Sequence, residues 1–112
     1  MKKKRRLTLI RKPQSEIPDC PDWLSAEARK IWHERAPRLA ELGLLTKLDR
    51  AAFAALCITC ADYRKACQRE KETGGKEAAI WKRIKKKSAK LVRKFAAEFF
   101  QAEEFEEWLK QQ

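Results

Sequence analysis

Residues 51 to 58 read Ala51-Ala52-Phe53-Ala54-Ala55-Leu56-Cys57-Ile58, and in a helix they would be apolar on nearly every side. Thr46 followed by Asp49 is a capping signal, and the pair Gly74-Gly75 is a break. A second helix of roughly 40 Å is therefore predicted between these signals. A helix that is apolar all round must be covered all round. Two other helices of one chain are not expected to do this, which predicts that neighbouring subunits contribute.

The segment before it is predicted to form a first helix over residues 26–42. Ser25 is a good N-cap, Gly43 is a natural C-terminal stop, and apolar residues recur at helical spacing between them. Pro37 removes one backbone donor inside this helix, so we expect a kink or break near His33. No segment shows convincing strand alternation, and the predicted class is all-α.

A third helix, predicted from about Lys76 to Phe100, carries two adjoining faces. In helical projection seven of its basic side chains fall within an arc of about 140°, beside an apolar arc of about 120°. The seven are Lys82, Arg83, Lys86, Lys87, Lys90, Arg93 and Lys94. The apolar ones, which we expect to form the core face, are Ile80, Trp81, Ile84, Leu91, Val92, Phe95 and Phe99.

Charge and periodicity divide the 112 residues into three parts. Residues 1–17 lack helical periodicity and are predicted to be a flexible basic arm. Residues 18–100 are predicted to be a helical domain for DNA binding and oligomerisation, and residues 101–112 an acidic helical tail. The basic residues of the arm are Lys2, Lys3, Lys4, Arg5, Arg6, Arg11 and Lys12. The residues predicted to lie between subunits are Phe53, Leu56, Ile58, Phe105 and Trp108.

The excess of basic residues predicts a polyanionic partner. Lys and Arg number 27 against 16 Asp and Glu, a net charge of +11. Like-charged pairs four residues apart, such as Lys86 and Lys90, each cost a few tenths of a kcal/mol in an isolated helix. We therefore predict that the arm and the third helix bind phosphates of double-stranded DNA. Lysine contacts of this kind do not identify bases. A solvated or inter-subunit charged face is the alternative interpretation.

No residue group indicates catalysis, a cofactor or a metal. Cys57-x-x-Cys60, with Cys67, Cys20 and His33, invites a zinc site. Cys57 and Cys67, however, lie almost three turns apart in one predicted helix, so we interpret these cysteines as small buried side chains. The lone His33 has no recognisable catalytic partner, and the glycine pair lacks the frame of a phosphate-binding loop. We predict that the protein is not an enzyme.

The apolar runs are far shorter than the roughly 20 residues that span a bilayer. The basic start leads into Arg11-Lys12-Pro13 and not into a hydrophobic signal core. We therefore expect a soluble, unexported protein that has no membrane partner and whose cysteines stay reduced.

The run Pro21-Asp22-Trp23-Leu24-Ser25-x-x-Ala28-x-x-x-Trp32, with Leu39 and then Leu42-Gly43-Leu44-Leu45-Thr46-x-x-Asp49, resembles the opening of a known family. It is similar to the small terminase subunits of cos-type tailed phages, in which a Pro-x-Trp-Leu entry and a Gly-Leu-Leu-Thr-x-x-Asp link join the first two helices. The resemblance covers about residues 18–70, with weaker similarity over Lys90 to Phe99.

This resemblance implies a homo-oligomeric ring in the cytoplasm of a phage's host cell. Such a protein binds viral DNA near the packaging start, delivers it to the large terminase subunit and modulates that subunit's ATPase and nuclease. Two alternatives stay open: a generic nucleic-acid-binding phage regulator, which would carry two short helices at a steep angle, and a membrane-surface or partner-helix binder that uses the third helix.

Overall fold

A computed structural model describes residues 17–46, 49–99 and 102–112. These residues contain four helices and no strand. They are α1 (Ala26–Glu41), α2 (Arg50–Glu72), α3 (Gly75–Phe99) and α4 (Ala102–Gln111). The all-α prediction is confirmed, and the predicted acidic tail is helical. The basic arm, apart from its last residue, Ile17, lies outside the described residues.

Local signals determine the ends of α1 as the sequence predicted. The Ser25 hydroxyl accepts a hydrogen bond from the backbone N–H of Ala28 at 3.2 Å. At the other end Gly43 adopts a φ of 74°, and the N–H of Leu44 donates to the carbonyl of Leu39 at 2.8 Å. This is the Schellman arrangement that favours glycine. The helix continues through Pro37, so no break occurs. Pro37 and His33 are both exposed, so water can reach the carbonyl that loses its intrahelical partner.

The start of α2 differs from the prediction by one turn. Its N-cap is Asp49, not Thr46, and the Asp49 side chain makes no capping hydrogen bond to the helix. Instead its carboxylate accepts from the backbone N–H and the hydroxyl of Thr46, at 2.9 and 3.1 Å. The capping pair therefore stabilises the turn before the helix. At the far end, only Thr73 and Gly74 separate α2 from α3, and Gly75 adopts a φ of 59°, so the two helices pack as an antiparallel pair.

Most of the apolar first half of α2 is buried within one chain, while Ala51 and Ile58 remain exposed. From α1, the Trp32 ring packs against Phe53 with centroids 4.7 Å apart. From α4, Trp108 lies 6.1 Å from the ring of Tyr63, whose hydroxyl donates to the Leu109 carbonyl at 3.3 Å. α3 packs along the remaining side. The acidic tail thus forms a fourth helix that contacts α2 at Tyr63, beyond the apolar run at residues 51–58.

The residues predicted to lie between subunits differ in burial. Phe53, Leu56, Phe105 and Trp108 are buried in the core of the single chain, where its other helices cover them. A contact between copies through these four residues stays a prediction. Ile58 remains exposed. α4 shares the core of α1 to α3, and we describe it as part of the same domain.

The core face of α3 also differs from the prediction. Val92 is buried, but the other buried positions are the small residues Ser88, Ala89 and Ala96. The large aliphatic side chains expected there are exposed: Ile80, Ile84 and Leu91. Trp81 and Phe95 are half-buried. Small side chains let helices approach closely, so α3 turns its alanine side towards the core and leaves one border of its apolar arc uncovered.

Candidate nucleic-acid interface

Six basic side chains of α3 project into solvent together. We call this group the cationic face: Lys82, Arg83, Lys86, Lys87, Lys90 and Lys94. All six are exposed, and no carboxylate in the described part of the chain forms an ion pair with them. The arrangement presents positive charge over more than three turns of one helix. Such a surface can contact a series of phosphates without any rearrangement of its own chain.

Arg93, the seventh basic residue predicted for this surface, is already paired. Its Nε lies 2.9 Å and its Nη2 3.1 Å from the carboxylate oxygens of Glu106 on α4. The hydrogen bond holds the pKa of Glu106 below, and that of Arg93 above, the ordinary value. Lys85 is likewise paired, with Glu70 on α2 at 3.1 Å, and it lies on the half-buried side of α3. Neither residue belongs to the free cationic surface.

The other acidic residues of α4 have two different environments. Glu104 contacts two arginines of α1, Arg35 at 3.4 Å and Arg38 at 3.3 Å, and the hydrogen bond from Arg38 lowers its pKa. Glu103 and Glu107 point outward and form no ion pair within the described residues. Thus Glu104 and Glu106 of α4 pair with arginines of the same chain, whereas Glu103 and Glu107 remain exposed.

An aliphatic edge borders the cationic face. It consists of Ile80, Ile84 and Leu91 on α3, which are between 37% and 52% exposed. In projection the three α3 residues lie next to Lys87 and Lys94 on the side away from Arg93. The edge is the part of the predicted apolar arc that α2 does not cover.

The residues considered for metal binding are packed in the core or exposed. Cys57, Cys60 and Cys67 are buried free thiols, and desolvation raises the pKa of Cys60 to about 12. Their interpretation as small buried side chains is confirmed. Within the described ranges, no three His, Cys, Asp or Glu side chains cluster as metal ligands. His33 is exposed on α1.

Of the two regions predicted to bind DNA, the structure describes the basic residues of α3 and not those of the arm. The cationic face gathers six of the seven predicted basic side chains of α3 on one surface. The arm residues Lys2 to Lys12 lie outside the described residues. Sequence reasoning missed the pairing of Arg93, although the acidic tail offered a signal, because the partner depends on where α4 packs. Trp23, which belongs to the motif that carries the family resemblance, is largely exposed.

Comparisons with known proteins bear on this surface. A family model described as "Phage terminase, small subunit" matches residues 28–100. The match contains nearly all of α1, all of α2 and the whole of α3 with its cationic face, and it ends before α4. No curated protein and no solved structure matches the chain. No helix in the described ranges is both long and apolar enough to cross a membrane.

Proposed function

The chain belongs to the phage terminase small-subunit family, which acts in phage DNA packaging, and on that premise we propose that its cationic face binds double-stranded DNA. It does so at the packaging start, in the host cytoplasm, as a homo-oligomeric ring. The DNA is then delivered to the large terminase subunit, whose ATPase and nuclease the small subunit regulates. The observation that carries this proposal is the exposed, acid-free set of six basic side chains on α3.

Counterion release supplies the energy of this binding. Each lysine or arginine that neutralises a phosphate frees a condensed counterion, so the affinity falls steeply as salt is added. The same pairs of like charge repel one another in the free protein, and a bound polyanion relieves that repulsion. Because these contacts are to phosphates, they position the protein without identifying bases. Any preference among DNA sites then comes from DNA shape or from another part of the assembly.

The aliphatic edge supports assembly. Three large aliphatic side chains of α3 lie together in this edge, and exposed apolar patches of soluble proteins often mark contacts with another protein. In a ring, a head-to-tail contact repeats until it closes. Each copy would add its own cationic face to a continuous basic surface, which raises the affinity for DNA through multivalency.

Chemistry is assigned to the partner and not to this chain. The buried thiols of Cys57 and Cys60 have raised pKa values, so they are poor nucleophiles. The proposal makes this chain a DNA-binding and regulatory subunit for a large subunit that hydrolyses ATP and cuts DNA. Turnover of ATP or cleavage of DNA by the purified chain alone would contradict it.

The test of DNA binding uses two triple variants with the same change in charge. One carries Lys86→Glu, Lys90→Glu and Lys94→Glu on the cationic face. Its control carries three substitutions of exposed lysines on the other helices: Lys30→Glu, Lys65→Glu and Lys110→Glu. Fluorescence anisotropy then gives the affinity for several unrelated duplexes between 50 and 200 mM salt.

We expect the cationic-face variant to lose affinity about equally for every duplex. The slope of log affinity against log salt should flatten by about three, since each lost phosphate contact lowers it by about one. The control should lose much less, and deletion of residues 2–12 should have an intermediate effect. Equal losses in the two triple variants would contradict the proposal. So would wild-type protein that binds anionic vesicles but not DNA.

A further inference from the structure

A carboxylate from α4, that of Glu106, lies beside the cationic face. Glu106 contacts Arg93 through three donor–acceptor pairs, at 2.9, 3.1 and 3.3 Å. Arg93 is three residues from Lys90 and seven from Lys86, so one and two helical turns separate it from these members of the cationic face. An approaching phosphate that contacts both lysines therefore comes within reach of this ion pair.

The rest of α4 holds Glu106 in place. Phe105, Trp108 and Leu109 are buried in the core, on the side of α4 that packs against the rest of the chain. On the far border of the helix, Glu104 contacts Arg35 and Arg38. The carboxylate of Glu106 is thus not at the end of a loose segment. DNA would have to displace one side chain from Arg93, and not the helix that carries it.

We propose that Glu106 sets the DNA affinity of the cationic face by occupying the Arg93 guanidinium in place of a phosphate. This inference rests on the proposed function. The carboxylate acts in two ways: it satisfies donors that would otherwise contact a phosphate, and its charge repels the DNA backbone. Arg93 lies within the residues that match the family, whereas Glu106 lies on the helix that follows them. The consequence is a protein that binds DNA less tightly and releases it more easily than its basic residues would allow.

The test compares Glu106→Gln with Glu107→Gln. Both substitutions remove one negative charge from α4, but Glu107 is exposed and forms no ion pair with Arg93. Each is also combined with Arg93→Ala. The affinity of each variant for a duplex is measured between 50 and 200 mM salt. Native mass and thermal unfolding check that each variant keeps the fold and the assembly of the wild type.

Glu106→Gln should raise the affinity several-fold at 50 mM salt and steepen the salt slope by about one, whereas Glu107→Gln should leave the slope unchanged. Because one extra phosphate contact steepens the salt dependence, the ratio of the affinity of Glu106→Gln to that of the wild type should fall roughly threefold between 50 and 200 mM salt. In the Arg93→Ala background, Glu106→Gln should have no larger effect than Glu107→Gln. If the two single variants have the same affinity and slope, the inference is wrong. The proposed function would still stand if the triple cationic-face variant lost DNA binding, so the two failures can be told apart.

Discussion

α2 and α3 are both rich in apolar residues, but most of the large apolar side chains are buried in α2, whereas in the described part of α3 only Val92 is. In α2, Phe53 and Leu56 are completely buried by the other helices of the same chain. In α3, Ile84 and Leu91 are more than one third exposed, while Ala96 has no accessible surface. The two helices pack against each other, so this difference arises within a single contact.

The difference shows that side-chain size, as well as hydrophobicity, decides which face of a helix is buried. The buried residues of α3 include Ser88, Ala89 and Ala96. Their small side chains allow the backbone of α3 to come close to α2, and as a result the longer side chains beside them stay uncovered. In α2, Phe53 packs against Trp32 of α1 and Tyr63 against Trp108 of α4, so helices other than α3 help to bury its large side chains. α3 is left with a border of aliphatic side chains next to its cationic face.

The largest expected effect comes from truncating a leucine in each helix. Leu56→Ala should lower the free energy of unfolding by about 2–5 kcal/mol, since it leaves a cavity in a core that is packed on all sides. Leu91→Ala, its matched control on α3, should cost less than about 1 kcal/mol because solvent already reaches Leu91. Urea unfolding at several protein concentrations measures both. Equal losses at every protein concentration would break the comparison.

A smaller effect is expected from enlarging an alanine of α3. Ala96→Leu should destabilise the chain by about 1–3 kcal/mol, because the larger side chain separates α3 from the helices packed against it. The neighbouring Ala97 is exposed, so Ala97→Leu should change the free energy of unfolding by less than about 0.5 kcal/mol. Thermal unfolding of the two variants provides the measurement. If Ala96→Leu were as stable as Ala97→Leu, close packing would not explain the orientation of α3.

The smallest effect on folding, but a visible one on assembly, is expected at the aliphatic edge. Ile80→Asp with Ile84→Asp should reduce the mass of the native assembly and leave the helical content unchanged, because charge is placed in a proposed subunit contact. The control is Ala79→Asp with Ala97→Asp, which adds the same charges at two exposed positions of the cationic face, about 120° around α3 from the edge. Native mass spectrometry distinguishes them. An unchanged mass in the edge variant would exclude this edge as the contact, and a monomeric wild type would contradict assembly itself.

Several elements could be predicted from the sequence because their causes are local. The Ser25 cap, the stop at Gly43 and the break at Gly74-Gly75 each depend on residues within a few positions, and α1 and α3 begin and end within about one residue of the prediction. The six side chains of the cationic face follow from helical spacing alone. The family resemblance over the first two helices agrees with the family match. These parts need no knowledge of how the helices meet.

The sequence by itself therefore determined the helical class, the limits of α1 and α3 and the presence of a basic surface. Only the tertiary structure decided that α2 is covered by its own chain, that α3 buries alanines in preference to isoleucines, and that Arg93 contacts Glu106. The physical reason is distance along the chain. Capping and periodicity act between residues one or two turns apart. Burial and ion pairing between helices depend instead on how closely whole helices approach, and that distance is determined by the packing of all four helices together.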